Sequence, residues 1–97
     1  MKDTYITITH LNEHLMSSFL RPGRRVLLRK DRDNPYDDEA IRVYSENGNA
    51  LGYVANCTDT VARGTFSSGR LYDRFEEEAE GEISFLRDDF AIAKILL

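Results

Sequence analysis

The 97 residues carry 13 Lys and Arg against 17 Asp and Glu, a net charge of −4, with 41% hydrophobic and 31% charged residues. A chain this short builds one core, so residues 1–97 read as a single domain, and the apolar share excludes a disordered polypeptide. Net negative charge disfavours non-specific attraction to a polyanion, the lone Cys57 excludes an internal disulfide, and neither a signal-peptide core nor a run near the roughly 20 apolar residues of a membrane span is present, so a cytoplasmic protein is expected.

Tyr5-Ile6-Thr7-Ile8-Thr9 alternates and is β-branched, which predicts a first strand. Leu11, Leu15 and Phe19 recur at helical spacing and suggest a short helix within residues 10–20, ended by the Pro22-Gly23 turn. A second strand is expected at Arg25–Arg29 and a third at Ala40–Tyr44, joined by the polar Asp31–Asp38 turn. Asn47-Gly48 within 46–49 is a tight-hairpin signal, and Ala50–Val54 is the returning strand. Asn56 or Thr58 is placed to cap a short helix through Val61 and Ala62, stopped by Gly64. Thr65–Gly69 reads as a small-residue loop. Leu71–Phe75 fits a helical turn or a strand, because periodicity does not separate them. Glu82–Arg87 alternates, as does Phe90–Leu96, and Asp88-Asp89 between them marks a closing hairpin.

Five to six short strands with one or two short helices predict a mostly β fold, a small antiparallel barrel of OB-like or SH3-like type. Charge is polarised along the chain. Six of the 13 basic residues fall between Arg21 and Arg32, while Asp73, Glu76, Glu77, Glu78, Glu80 and Glu82 follow later. This pattern fits either one basic face or a strand edge guarded by solvated cations. The run from Glu76 to Glu80 is most simply a solvated face.

The most informative stretch is Asn34-Pro35-Tyr36-Asp37. Pro35 fixes its own φ and holds Asn34 extended, so Asn34, Tyr36 and Asp37 are presented with little freedom left to lose on binding. Tyr offers a stacking face, Asn both donors and an acceptor, and ionised Asp acceptors only. The same pattern also suits a well-formed turn with a buried Tyr.

The run from Val26 to Asp37, then Ala40-Ile41-Arg42-Val43, then Asn47-Gly48-Asn49-Ala50-Leu51-Gly52-Tyr53-Val54, resembles the HIRAN domain. That family occurs fused to SWI/SNF-type helicases and as small stand-alone bacterial proteins, the type this chain resembles. The resemblance implies an OB-like barrel that captures the 3′ end of single-stranded DNA without catalysis or cofactor. It assigns the terminal-nucleotide pocket to Asn34, Tyr36 and Asp37, and associates Tyr53 with it. The family's phosphate-contacting Arg-aromatic pair on the first strand has no counterpart between Tyr5 and His10. Arg29 and Lys30, within the basic segment, are then expected to attract phosphates. A partner such as a helicase or nuclease, and a protein-interaction module on the same barrel, are the accompanying expectations.

Other chemistries fit the residues poorly. Asp31-x-Asp33 opens like a calcium loop, but Tyr36 stands where the tight-turn Gly belongs and Arg42 where the bidentate Glu belongs. A magnesium-dependent nuclease lacks a well-spaced Lys or His base. His10 and His14 with Cys57 do not complete a zinc set. The segment from Arg63 to Arg70 lacks the Gly-Lys-Ser/Thr ending of a phosphate-binding loop, which leaves Arg63 and Arg70 as candidate backbone contacts.

Overall fold

Apolar alternation drives the strands together, and the computed structural model describes the result for residues 3–11, 21–87 and 89–96. Among the described residues the strands are β1 (Tyr5–Thr9), β2 (Arg25–Lys30), β3 (Ile41–Ser45), β4 (Ala50–Val54), β5 (Glu78–Leu86) and β6 (Ala91–Leu96), with one short helix, α1 (Ser68–Tyr72). They close an antiparallel barrel in the order β1-β4-β3-β2-β5-β6, with β6 returning to β1. The mostly β barrel read from the sequence is therefore the fold. No helix among the described residues is long and apolar enough to cross a membrane.

The barrel interior is aliphatic. Ile6, Ile8, Val26, Leu28, Ile41, Val43, Leu51 and Ile83 fill it, while Ala91 and Ala93 keep β6 close to the opposite wall. Phe66, Tyr72 and Phe75 pack against this core without entering it. Thr7 is buried on the outer side of β1, where its hydroxyl meets that of Thr65 (2.9 Å) and accepts from the Ala62 amide (3.0 Å). A covering loop, not the core, accounts for that burial.

Several boundaries depart from expectation. The hairpin forms as predicted, with Gly48 at φ 88° and the Ser45 amide donating to the Asn49 carbonyl (2.8 Å). The helix expected over residues 56–62 is a turn instead, in which the Cys57 carbonyl accepts from both Thr60 and Val61. Thr58, Asp59, Thr60 and Val61 are weak helix formers and provide no propensity to extend it. The helix starts later, capped by the Ser67 hydroxyl, which accepts from the Arg70 amide (3.3 Å). β5 begins at Glu78, four residues before the predicted strand, so the glutamate run is partly strand. The helix suggested within residues 10–20 lies almost wholly outside the described residues, as do His14 and Asp88.

One residue makes the closure possible. A Cβ built on Gly52 lies 2.5 Å from the Thr9 carbonyl oxygen, a backbone atom that cannot swing aside. Gly52→Ala is expected to lower stability by about 1–3 kcal/mol through overpacking at the β1–β4 contact. Urea denaturation followed by circular dichroism measures this directly.

Candidate nucleic-acid interface

The 31–40 turn is built around one side chain. The Asn34 carbonyl oxygen accepts from the backbone amides of Tyr36 (2.8 Å) and Asp37 (3.1 Å), and its amide nitrogen donates to Asp31 (3.3 Å). The Asp31 amide and Asp37 carbonyl bond to the Ala40 carbonyl and amide, tying the base of the turn. Asn34 thus uses its polar atoms within the turn. It shapes the surface that Tyr36 and Asp37 present.

Tyr36 is 94% exposed, so its ring is supported by the turn and covered by nothing. The alternative of a buried tyrosine is excluded. Asp37 is half-buried. One of its oxygens accepts from the Glu39 amide (2.9 Å) and the other from the Asn56 side-chain amide (3.0 Å). Each oxygen keeps a further lone pair. Asn56 in turn accepts from the Gly69 amide (2.9 Å), while the buried Ser68 hydroxyl donates to the Glu39 carbonyl. These contacts fasten the turn to the start of α1.

Asn34, Tyr36, Asp37 and Ala40 line an open cleft of about 460 Å³. Thr9, His10, Tyr53 and Val54, at the ends of β1 and β4, line it too, with Asn56, Cys57 and Thr60. His10 adopts a left-handed backbone, φ 56°, where β1 ends. The Tyr53 hydroxyl donates to Asp31 (3.2 Å), and its ring lies under the Arg42 guanidinium (5.2 Å). Burial, first of all, holds the Tyr53 hydroxyl above the ordinary tyrosine range, with Arg42 opposing and Asp31 reinforcing. It therefore stays a neutral donor at physiological pH. Asn34, Tyr36, Asp37 and Tyr53 all line this cleft. Among its lining residues there is no Lys or Arg.

Arg29 and Lys30 stand elsewhere. Arg29 grips Glu78 on the neighbouring strand (3.0 and 2.5 Å) and lies over Tyr44. Lys30 rests its ammonium over Tyr72 (4.3 Å) and Phe75 (5.2 Å) at the barrel end. Arg25 pairs with Glu80 and Glu82, and Arg32 with Glu77. The basic segment and the acidic segment are adjacent strands in register, Arg25 opposite Glu82 and Arg29 opposite Glu78. On this side of the barrel the separation of charge along the chain becomes neutralisation in space. The hydrogen bonds to Glu77 and Glu78 hold the Arg32 and Arg29 guanidinium groups above their ordinary range.

Asn56 and His10 escaped the sequence as cleft residues, and Asp31 as the acceptor that holds Asn34 and Tyr53 from behind. Asn56 meets Asp37 across 19 positions and Tyr53 meets Asp31 across 22, distances at which no periodic signal operates. Among the described residues no group of three His, Cys, Asp or Glu side chains is arranged to hold a metal ion.

With this geometry established, comparison with known proteins is informative. A family model described as the HIRAN domain matches residues 2–69. This chain belongs to the HIRAN domain family. HIRAN domains are nucleic-acid-binding modules, and the matched span contains the whole cleft. A crystal structure of a protein from Lactobacillus plantarum is similar over 97% of this chain and 93% of that one, with a TM-score of 0.59 and 22% identity. At that identity the likeness speaks for the fold alone. No curated protein matches.

Two outcomes follow for this HIRAN domain. Asn34→Ala removes the acceptor for two turn amides and is expected to cost about 1–3 kcal/mol, whereas Tyr36→Ala leaves stability nearly unchanged; paired thermal or urea melts test the contrast. Glu77→Gln with Glu78→Gln releases Arg32 and Arg29. Non-specific oligonucleotide binding at low salt is then expected to rise, with the logarithmic salt slope steeper by about 0.7 per phosphate gained.

Proposed function

We propose that this HIRAN domain captures the free 3′-hydroxyl end of single-stranded DNA and performs no chemistry on it. The observation that carries the reading is the charge of the cleft. Its lining places a carboxylate, Asp37, beside an uncovered ring, Tyr36, and includes no Lys or Arg. An internal phosphodiester is repelled by such a carboxylate. A terminal hydroxyl is a donor, and the lone pairs of Asp37 left over from Glu39 and Asn56 suit it.

The energies are adequate to the task. A hydroxyl donating to Asp37 is a charge-assisted bond of about 1.5–3 kcal/mol. Stacking of the terminal base on Tyr36 adds about 1–3 kcal/mol. Because Asn56 and Glu39 already hold the Asp37 carboxylate, little side-chain entropy is lost on binding. Asn34 contributes by holding the turn, and Tyr53 by lining the same cleft. A helicase or nuclease that frees single-stranded ends is the kind of partner this activity serves.

Fluorescence anisotropy with short single-stranded oligonucleotides ending in 3′-hydroxyl or 3′-phosphate tests the proposal. The hydroxyl end is expected to bind more tightly, and Asp37→Ala to weaken it by about 10- to 150-fold. Tyr36→Ala is expected to weaken both ends, since a ring stacks regardless of the terminal group. Arg29→Ala is expected to change little. Equal affinity for the two ends would refute end recognition.

A further inference from the structure

A second concave site lies on the other side of the 57–65 loop from the cleft. Its volume is about 600 Å³, and it is lined by Tyr5 on β1, Phe85 on β5, Phe90 and Ile92 at β6, and the 62–65 segment. Arg63 and Arg87, both exposed, complete the lining.

The fold departs from regularity to build it. Ala79, Gly81 and Ile83 face the core from β5, and simple alternation would send Phe85 inward after them. The register instead shifts between Ile83 and Phe85, skipping Ser84. Phe85 then stands opposite Ile92 on the outer surface, 41% exposed, and Leu86 takes the place against the core. A bulge that re-aims one side chain often serves a site. Here it carries a large ring out of the core and into a groove.

The charges around this groove differ from those on β2. Arg25, Arg29 and Arg32 each meet a glutamate, but no carboxylate of the described residues pairs with Arg63 or Arg87. Arg87 lies over the Phe85 ring (4.9 Å) and donates to the Leu86 carbonyl (3.3 Å). Asp89, in the nearby turn, does not line the groove.

We propose that this groove is a second binding site, for an extended segment of a partner protein that carries an aromatic or large aliphatic side chain beside carboxylates. The apolar side chain enters between Phe85, Phe90 and Ile92, and the carboxylates meet Arg63 and Arg87. A nucleic-acid strand fits less well, because the guanidinium of Arg87 already occupies a face of Phe85 and aliphatic Ala62 and Ile92 provide no platform for bases. Within the chain, Glu77, Glu78, Glu80 and Glu82 are engaged by Arg32, Arg29 and Arg25. The stretch from Tyr36 to Glu39, which also sets an exposed ring beside carboxylates, is folded into a turn by its own hydrogen bonds and is not an extended segment. The proposal is independent of end capture in the cleft.

Selection of a phage-displayed random-peptide library on the intact domain tests it. Enriched peptides are expected to combine an aromatic or aliphatic residue with neighbouring Asp or Glu. Their affinity, measured on synthetic copies, is expected to fall by about tenfold or more in Phe85→Ser and in Arg63→Glu, both at exposed positions and each checked by circular dichroism. Amide shifts on peptide titration are expected at Tyr5, Phe85, Phe90 and Ile92, while 3′-hydroxyl oligonucleotide binding stays the same. Failure to enrich, enrichment of basic peptides, or peptides indifferent to both substitutions would overturn the proposal. So would oligonucleotides that shift these amides and displace the peptides.

Discussion

The barrel depends on how β1 is closed against β4. Only Ile8 and Thr9 pair with Val54 and Tyr53, a seam two residues long, and it exists because Gly52 has no side chain to meet the Thr9 carbonyl. Beyond it, the segment after β4 takes over the free edge of β1. The Ala55 amide donates to Thr7 and the Phe66 amide to Tyr5, both at 2.8 Å. The strand is satisfied by a loop where a longer neighbouring strand would otherwise be needed. That loop crosses the outer surface, buries Thr7, and separates the cleft from the groove. Both concavities are products of an incomplete seam.

The cleft shows how a short polar turn gains rigidity without a core. Asn34 folds the turn, Asp31 accepts hydrogen bonds from Asn34 and Tyr53, and Asn56 joins Asp37 to the first turn of α1. Each polar atom put to structural use fixes a neighbour that remains available. The Tyr36 ring is left to solvent while its amide is held by Asn34, and Asp37 keeps acceptor capacity. Structural support and exposed surface are thus divided between adjacent residues of one tetrapeptide.

Much of the barrel was legible because β1, β2, β3 and β4 follow local rules: two-residue alternation, Pro22-Gly23, and the Asn47-Gly48 hairpin. The Asn34–Asp37 turn was equally plain, since Pro35 restricts it before any tertiary contact forms. What escaped was set by long-range pairing. Alternation through Ile83 and Phe85 looked regular, and only the partner strand imposes the bulge. Asn56 read as a helix cap, since its bond to Asp37 depends on the barrel bringing them together. Each charge cluster was visible and the glutamate run is exposed as read, but their apposition belongs to the β2–β5 register.

That apposition also bears on how the chain reaches its fold. The ion pairs between residues 25–32 and the 77–80 segment join residues 45 to 55 positions apart, among the costlier loop closures in a chain of this size. Exposed pairs of this kind add little to the finished structure. In the unfolded chain, however, a cationic and an anionic segment attract one another before any backbone bond forms. The ladder is therefore expected to bias encounters toward the right two strands. Salt that screens the attraction over distances near 10 Å is expected to slow the approach of β2 to β5 while leaving the closed barrel almost untouched.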